Sequence, residues 1–156
     1  MDSVVIGTDE NNVFYQLHYQ VRCDAHYRVQ RVDLDLAGHK RVTLTADGQG
    51  SWFFTDNQPL REFNGYIDID ISATPFTNTL PIRRLDWQPG QVRSLDTIYI
   101  RIPELRFERV TQQYTCLEQT TNGSRFEYAQ PGFSAILEID ADGFVQNYPE
   151  LFLRMS

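Results

Sequence analysis

Alternation of apolar and polar residues with a period of two is the feature that most constrains the fold. From residue 13 to residue 23 every second side chain is apolar, and the side chains between them are mostly polar. This period places successive side chains on opposite faces of a strand, whereas an amphipathic helix repeats about every 3.6 residues. Turn sequences such as Asp47-Gly48 and Asn122-Gly123 separate further alternating segments. Together the segments predict about ten strands at the short spacing typical of all-β proteins.

In two segments the phase of the alternation shifts by one residue. The apolar series steps from Val29 to Val32 in one segment and from Phe107 to Val110 in another. Each step predicts a β-bulge, and bulges allow a long antiparallel sheet to curl. We therefore predict one all-β domain over residues 1–156, mainly antiparallel, in which a single long sheet curls and encloses an interior that a short helix can fill or line.

Residues 74–87 are the stretch that resists the strand pattern. Thr79 is predicted to cap a short helix that has Pro81 in its first turn. Leu80, Ile82 and Leu85 would then pack on one side of this helix. At the other end of the chain, residues 149–153 predict one more helical turn.

The acidic balance of the chain excludes several classes of partner. The sequence has 14 basic and 21 acidic residues, a formal net charge of -7. Such a surface repels phosphate backbones and anionic membranes, so we expect no nucleic-acid partner. The hydrophobic fraction of 41% is too high for a disordered chain, yet no apolar run predicts a membrane span or a signal peptide. The location expected from these observations is cytoplasmic.

Neither a metal site nor a catalytic template is predicted. Cys23 and Cys116 fall in phase with apolar strand positions, which predicts buried free thiols; a disulfide between them stays open, because it depends on their distance. His18, His26 and His39 lack the spacing of zinc ligands. The sequence contains no G-x-S-x-G, no phosphate-binding glycine loop and no H-E-x-x-H. We therefore predict no catalytic residue and no cofactor.

Asp68 and Asp70 are two residues apart in a predicted strand and so share one face. A pair of carboxylates can serve as acid and base in glycoside hydrolysis or bind a metal. Alternating aspartates also solubilise the water-facing side of a strand, and this exposed position is the one predicted here. A hydrolase would instead require both carboxylates to line a concave pocket, with at least one raised pKa.

Three arginines are candidates for binding an anionic headgroup. Arg83 and Arg84 follow the predicted helix, and Arg101 lies on a later strand. A guanidinium group can hold a phosphate or a sugar acid through two parallel hydrogen bonds. The alternatives are exposure to solvent or ion pairs within the chain, with Asp68, Asp70 or Asp86 as partners.

Polar and aromatic residues supply further candidates. Thr74, Thr77, Asn78 and Thr79 could bind a sugar, although such residues more often cap a helix. In the tandem Trp52-Phe53-Phe54, consecutive side chains face opposite ways, so both faces of that strand carry large apolar groups that a partner or a ligand could cover. The candidate ligand-binding residues are Trp52, Phe76, Asn78, Arg83, Arg84 and Arg101.

Four strings in the chain carry a family resemblance. The string GYIDIDISATPFTNTLPIRRL at residues 65–85 resembles the signature of the putative glycolipid-binding family. LHYQVRCDAHYRVQRVDLDL, DTIYIRIPELRFERVTQQYT and DADGFVQNYPELFLRM resemble the family in the same order, so the resemblance covers essentially the whole chain. It implies a spiral β-roll, a single long antiparallel sheet rolled around one short helix, like the partial barrels of bacterial lipoprotein carriers. It also implies a glycolipid or another amphiphile as ligand, and a homodimer.

The function predicted from the residues and the resemblance together is non-catalytic binding of a lipid-like or glycolipid-like amphiphile. The apolar interior of the roll would take the acyl part, and Asn78, Arg83 and Arg84 would meet the headgroup. A hydrolase that uses Asp68 and Asp70 is the first alternative. The second is a homodimeric structural module whose interior is filled by its own side chains and has no ligand cavity.

Overall fold

The computed structural model describes residues 1–149 and 152–153, and within them it contains twelve strands and one short α-helix. The strands are β1 (Asp2–Thr8), β2 (Phe14–Cys23), β3 (Val29–Leu36), β4 (Lys40–Ala46), β5 (Trp52–Phe54), β6 (Asp68–Ile71), β7 (Val92–Arg101), β8 (Arg106–Thr120), β9 (Gly123–Gln130), β10 (Phe133–Asp140), β11 (Val145–Tyr148) and β12 (Phe152–Leu153). The helix α1 spans Thr79–Arg84, and 3-10 helices occupy Arg61–Phe63 and Pro75–Asn78. The predicted all-β class with one short helix is confirmed.

Apart from β5 and β6, strands that are neighbours in the chain are also hydrogen-bonded neighbours in the sheet. They follow one another around a curled half-barrel whose hydrogen bonding is interrupted between β5 and β6. This interruption divides the ladder into a five-stranded part, β1 to β5, and a seven-stranded part, β6 to β12. All pairs are antiparallel except β6 with β7, which are parallel because α1 and the preceding 3-10 helix carry the chain back between them.

Of the two predicted bulges, the structure contains the first. Arg22 faces Arg31 across the β2–β3 pair, but the next residue, Cys23, faces Val29. Gln30 is therefore the extra residue, within the three-residue step that the sequence shows. The local loss of phase was a direct sign of this bulge.

The second predicted bulge is wrong. β7 and β8 keep an unbroken register from the pair Val92–Thr115 to the pair Arg101–Arg106. The apolar phase changes along β8 because the strand buries first one face and then the other. Phe107 packs against one core, whereas Tyr114 lies on the opposite face and belongs to a second core.

Two hydrophobic cores lie on opposite faces of β6 and β7. The first joins the inner face of β2 to β5 with Ile69, Ile71, Ile98 and Ile100. The second joins Ile82 and Trp87, from α1 and the loop after it, to aromatic and aliphatic side chains of β8 to β10. β6 is consequently covered on both sides, which determines where its aspartates lie.

The predicted solvent exposure of Asp68 and Asp70 is wrong. Ile69 and Ile71 face the first core, so the aspartates between them point towards α1 and the second core. Only 3% of the surface of Asp68 is exposed, and Asp70 is half-buried. A strand that is sandwiched between two packed layers has no water-facing side, even when its sequence alternates perfectly.

The helical segment begins earlier than predicted. The 3-10 helix Pro75–Asn78 runs directly into α1, and the Thr74 hydroxyl caps it by accepting a hydrogen bond of 3.3 Å from the Phe76 amide. Thr79, the predicted cap, is instead the first residue of α1, and its buried hydroxyl makes no hydrogen bond within the described residues. Pro75 favours the earlier start because its ring fixes φ at a helical value.

The predicted C-terminal helical turn is wrong where the structure describes that stretch. Phe152 and Leu153 form β12, which pairs with β11; residues 150 and 151 lie outside the described residues. In the parts of the chain that are described, no helix is long and apolar enough to cross a membrane. Those parts also bring together no group of three or more side chains suited to holding a metal ion.

Candidate functional site

A cavity of about 280 Å³ opens on the side of the seven-stranded ladder that carries α1. Its walls come from the end of β6, the adjoining 3-10 helix, β7 and the strands β9 to β12. The side chains that define its chemistry are Asp70, Asn78, Tyr99, Tyr128, Phe133 and Tyr148. The cavity thus combines one carboxyl group, amides and phenols with flat aromatic surfaces.

Asp70 is held in place by neutral hydrogen-bond donors. Its Oδ1 accepts a bond of 2.8 Å from the Thr77 hydroxyl, and its Oδ2 accepts one of 2.6 Å from the Gln112 side-chain amide. The Tyr128 hydroxyl lies 3.4 Å from the same Oδ2. These donors come from the 3-10 helix and from the cavity side of β8 and β9, so they fix the carboxyl group at the cavity wall.

No basic side chain offsets the charge of Asp70 within residues 1–149 and 152–153. The ion pairs there involve other carboxylates, and the cavity lining contains no lysine, arginine or histidine. Burial therefore raises the pKa of Asp70, and the hydrogen bonds from Thr77, Gln112 and Tyr128 oppose this only in part. The carboxyl group holds its proton to a higher pH than an exposed aspartate does.

Phenol side chains form much of the remaining wall. The Tyr128 hydroxyl donates a bond of 2.9 Å to Gln130 Oε1, and burial raises the pKa of Tyr99, Tyr128 and Tyr148. These groups are consequently neutral at physiological pH. The ring of Phe133 lies 6.3 Å from that of Tyr128 and 6.0 Å from that of Tyr148, measured between centroids, which makes one continuous aromatic wall.

Asp68 shares a strand face with Asp70 but does not line the cavity. Its Oδ2 accepts a hydrogen bond from Arg84 Nη2, and the side chains of the two residues are 5% and 13% exposed. Burial raises the pKa of Asp68, and the guanidinium group of Arg84 opposes that shift. Of the three alternatives for Arg84, namely headgroup binding, solvent exposure and an ion pair within the chain, the structure shows the ion pair. The cavity holds only one of the two carboxylates that a hydrolase would require.

Asn78 is the one predicted ligand-binding residue that lines this cavity. Its Oδ1 accepts a bond of 2.8 Å from the Tyr114 hydroxyl, and its Nδ2 donates one of 3.2 Å to the Pro75 carbonyl. Phe76 lines a neighbouring groove. Trp52 is buried in the first core, where its indole donates a bond of 2.7 Å to the Tyr66 carbonyl.

The two remaining predicted arginines lie outside the cavity lining. Arg83 is exposed, with its guanidinium carbon 5.2 Å from the centre of the Tyr27 ring. Arg101 lies 5.6 Å from the centre of the Tyr99 ring and pairs with Glu108 at 3.2 Å. The structure thus disperses the three arginines, and their contacts with a ligand stay predictions.

Gln112 and the phenols that line or border the cavity are not among the site residues predicted from the sequence. A signal for Gln112 was present, because it occupies an apolar phase between Val110 and Tyr114 on β8. A polar residue in a buried phase needs a hydrogen-bond partner, and here that partner is Asp70. The tyrosines gave no comparable signal, since tyrosine is equally common in ordinary β cores.

Comparison with known proteins gives two matches in agreement. The model of the family described as "Putative glycolipid-binding" matches residues 1–154. The structure is similar to the crystal structure of a DUF1089 family protein from Pseudomonas aeruginosa, with a TM-score of 0.92 and 35% sequence identity; the match covers 99% of this chain and 85% of that one. No functionally curated protein matches the chain.

Proposed function

The chain belongs to the putative glycolipid-binding family, and from this premise we propose that the cavity around Asp70 binds the sugar headgroup of a glycolipid or a similar amphiphile without transforming it. The observation that carries the proposal is a carboxyl group without a basic partner in the described chain, set in a cavity of neutral phenols and amides beside an aromatic wall. Sugars offer both hydroxyl groups for such hydrogen bonds and flat apolar faces for such a wall.

The charge of the lining favours a neutral headgroup over an anionic one. A phosphate or a sugar acid would place a second negative charge beside Asp70, with no lysine, arginine or histidine lining the cavity to offset it. Like charges that close together in a partly buried site repel strongly. A neutral sugar avoids this cost and can donate hydroxyl protons to the carboxyl oxygens.

The arrangement of carboxyl groups favours binding over hydrolysis. Glycosidases of the common type place two carboxyl groups on either side of the scissile bond, separated by roughly 5–9.5 Å across the substrate. Here Asp70 lines the cavity, whereas Asp68 is engaged by Arg84 beneath it. The homodimer and the cytoplasmic location stay predictions from the sequence.

Binding of methyl glycosides of glucose, galactose and mannose tests the headgroup site. Isothermal titration calorimetry on the wild type should show binding of at least one of them, and Asp70→Asn should weaken it about tenfold, the effect of losing about 1.4 kcal/mol from one charge-assisted hydrogen bond. Asp96→Asn is the matched control, because Asp96 is an exposed aspartate of β7 that bonds Thr111. Equal affinities of the two variants would contradict the proposal, as would failure of all three glycosides to bind.

The non-catalytic part of the proposal has a separate test. Wild-type protein should release no 4-nitrophenol from 4-nitrophenyl glycosides of the same three sugars beyond the rate seen with Asp70→Asn. Release that depends on Asp70 would show that the cavity is an active site.

A further inference from the structure

A second concave surface lies beside the cavity and is more apolar in its side chains. This groove has a volume of about 360 Å³, and its lining includes Tyr19, Pro75, Phe76, Phe144 and Val145. The rings of Phe76 and Phe144 lie 6.3 Å apart between centroids, with their planes tilted by 30°. Phe144 is 37% exposed, although it is a large apolar side chain.

The cavity and the groove share two structural elements. Thr74 lines both, and the 3-10 helix that follows it presents Pro75 and Phe76 to the groove and Asn78 to the cavity. β11 also borders both, with Val145 at the groove and Tyr148 at the cavity. Three residues of a strand span about 10 Å, so the two sites are close enough for one small amphiphile.

The interior of the roll offers an acyl chain no comparable space in the first core. Leu17, Leu34 and Ile71 have no exposed surface there, and Trp52 is 1% exposed. These side chains fill the region that the sequence analysis assigned to the acyl part of the ligand. An alkyl chain attached to a headgroup at Asp70 needs an apolar surface that is continuous with the cavity.

We propose that the Phe76–Phe144 groove is the alkyl-chain subsite of the amphiphile whose headgroup occupies the Asp70 cavity. This inference rests on the proposed function, because it assigns the groove to the same ligand. The headgroup lies against Asp70 and the phenols, the glycosidic linkage passes Thr74, and the first methylenes of the chain pack against the exposed surfaces of the two phenylalanine rings.

The test compares three probes on the full chain: methyl glycosides, the corresponding n-octyl glycosides below their micelle concentrations, and tetraethylene glycol monooctyl ether, which has the same chain without a sugar. Each fully buried methylene group raises affinity about fourfold, so even a partly covered octyl chain should improve wild-type binding about tenfold or more over methyl. Phe144→Ser should reduce this octyl-to-methyl ratio about tenfold. Leu117→Ser is the matched control, since Leu117 is 40% exposed, on β8, and should leave the ratio unchanged.

The outcomes separate this inference from the proposed function. Methyl glycosides that bind while octyl glycosides bind no tighter would overturn the alkyl subsite and leave the headgroup site standing. An octyl-to-methyl ratio that survives Phe144→Ser would also overturn it. Binding of the octyl ether that Phe144→Ser weakens, with no added affinity from any sugar, would support the groove and overturn the headgroup site. No binding of any probe would overturn both.

Discussion

Replacement of Arg84 by methionine tests the structural role that the protein gives to this residue. Arg84 was a candidate headgroup ligand by sequence, but its guanidinium group bonds Asp68 beneath α1, with side-chain exposures of 13% and 5%. Methionine keeps an unbranched apolar side chain of similar reach and removes the charge and the hydrogen-bond donors. Asp68 would then be a buried carboxylate without its partner, and its Oδ1 already has no hydrogen bond within the described chain.

The expected cost is large compared with the total stability of a domain. Breaking a buried ion pair by removing one partner costs about 3–5 kcal/mol, because the remaining charge keeps its desolvation penalty. In a domain of about this size, each kcal/mol lowers the Tm by roughly 2–4 °C, so we expect a drop of about 6–20 °C. The double variant Asp68→Leu/Arg84→Met removes both charges and should recover most of that loss.

The pH dependence of the loss identifies Asp68 as its source. Burial raises the folded-state pKa of Asp68 above its ordinary value of 3.8, and without Arg84 nothing cationic opposes this shift. A raised folded-state pKa gives stability that is present below pH 3.8 and is lost as the pH rises through the folded-state value. The deficit of Arg84→Met should therefore be larger at pH 7 than at pH 3.5.

Urea unfolding followed by tryptophan fluorescence at both pH values measures the deficit, and calorimetry with the glycosides measures binding. A loss of stability below about 1 kcal/mol together with lost glycoside binding would refute the reasoning, because removing one partner of a buried ion pair lowers the free energy of unfolding by more than this. That result would return Arg84 to the ligand site. A large deficit that does not change with pH would show that the damage comes from packing instead of from Asp68.

Three further outcomes follow from single sites. Burial raises the pKa of Asp70, so the wild type loses stability as the pH rises and Asp70 ionises, whereas Asp70→Asn does not; the stability of Asp70→Asn relative to wild type should therefore increase from pH 3.5 to pH 7, and a flat difference in urea unfolding would contradict this. Gly50→Ala should cost about 1–3 kcal/mol, because φ is +101° and the new Cβ would lie 2.8 Å from Gly65 Cα. Gly132→Ala, at φ +80° with open space, should cost less, and equal losses in chemical denaturation would refute the steric reason. Burial raises the pKa of Cys23 from 9.0 to about 11, so iodoacetamide should react about 100-fold more slowly at pH 8 than with an ordinary thiol; equal rates would contradict it.

Local patterns in the sequence predicted the elements of the fold well. The all-β class follows from period-two alternation, and the bulge at Gln30 follows from the step between Val29 and Val32. Both are properties of a strand and its immediate neighbour in the chain. The signature at residues 65–85 also marked the segment that borders the cavity, through Asp70 and Asn78.

The wrong predictions concern which face of a strand is buried. That depends on contacts between residues that are distant in the sequence. Alternation shows that Asp68 and Ile69 point in opposite directions, but it does not show what covers each direction. The return of the chain through α1 places a second core over the aspartates. No feature of the sequence near β6 predicts that this core will be there. The bulge predicted after Phe107 is wrong for the same reason, because β8 exchanges its buried face there while its register with β7 stays unbroken.

The two aspartates of β6 differ in how their carboxyl groups are compensated, and this difference is the basis of the proposed binding site. A buried carboxyl group is costly unless hydrogen bonds or charges compensate it. Asp68 is compensated by Arg84 in a closed environment, and such a pair needs no ligand. Asp70 is held by the neutral side chains of Thr77 and Gln112, and its remaining surface faces an open cavity. The unused hydrogen-bonding capacity that faces a cavity, and not the presence of the carboxylate, is the reason for assigning function to Asp70.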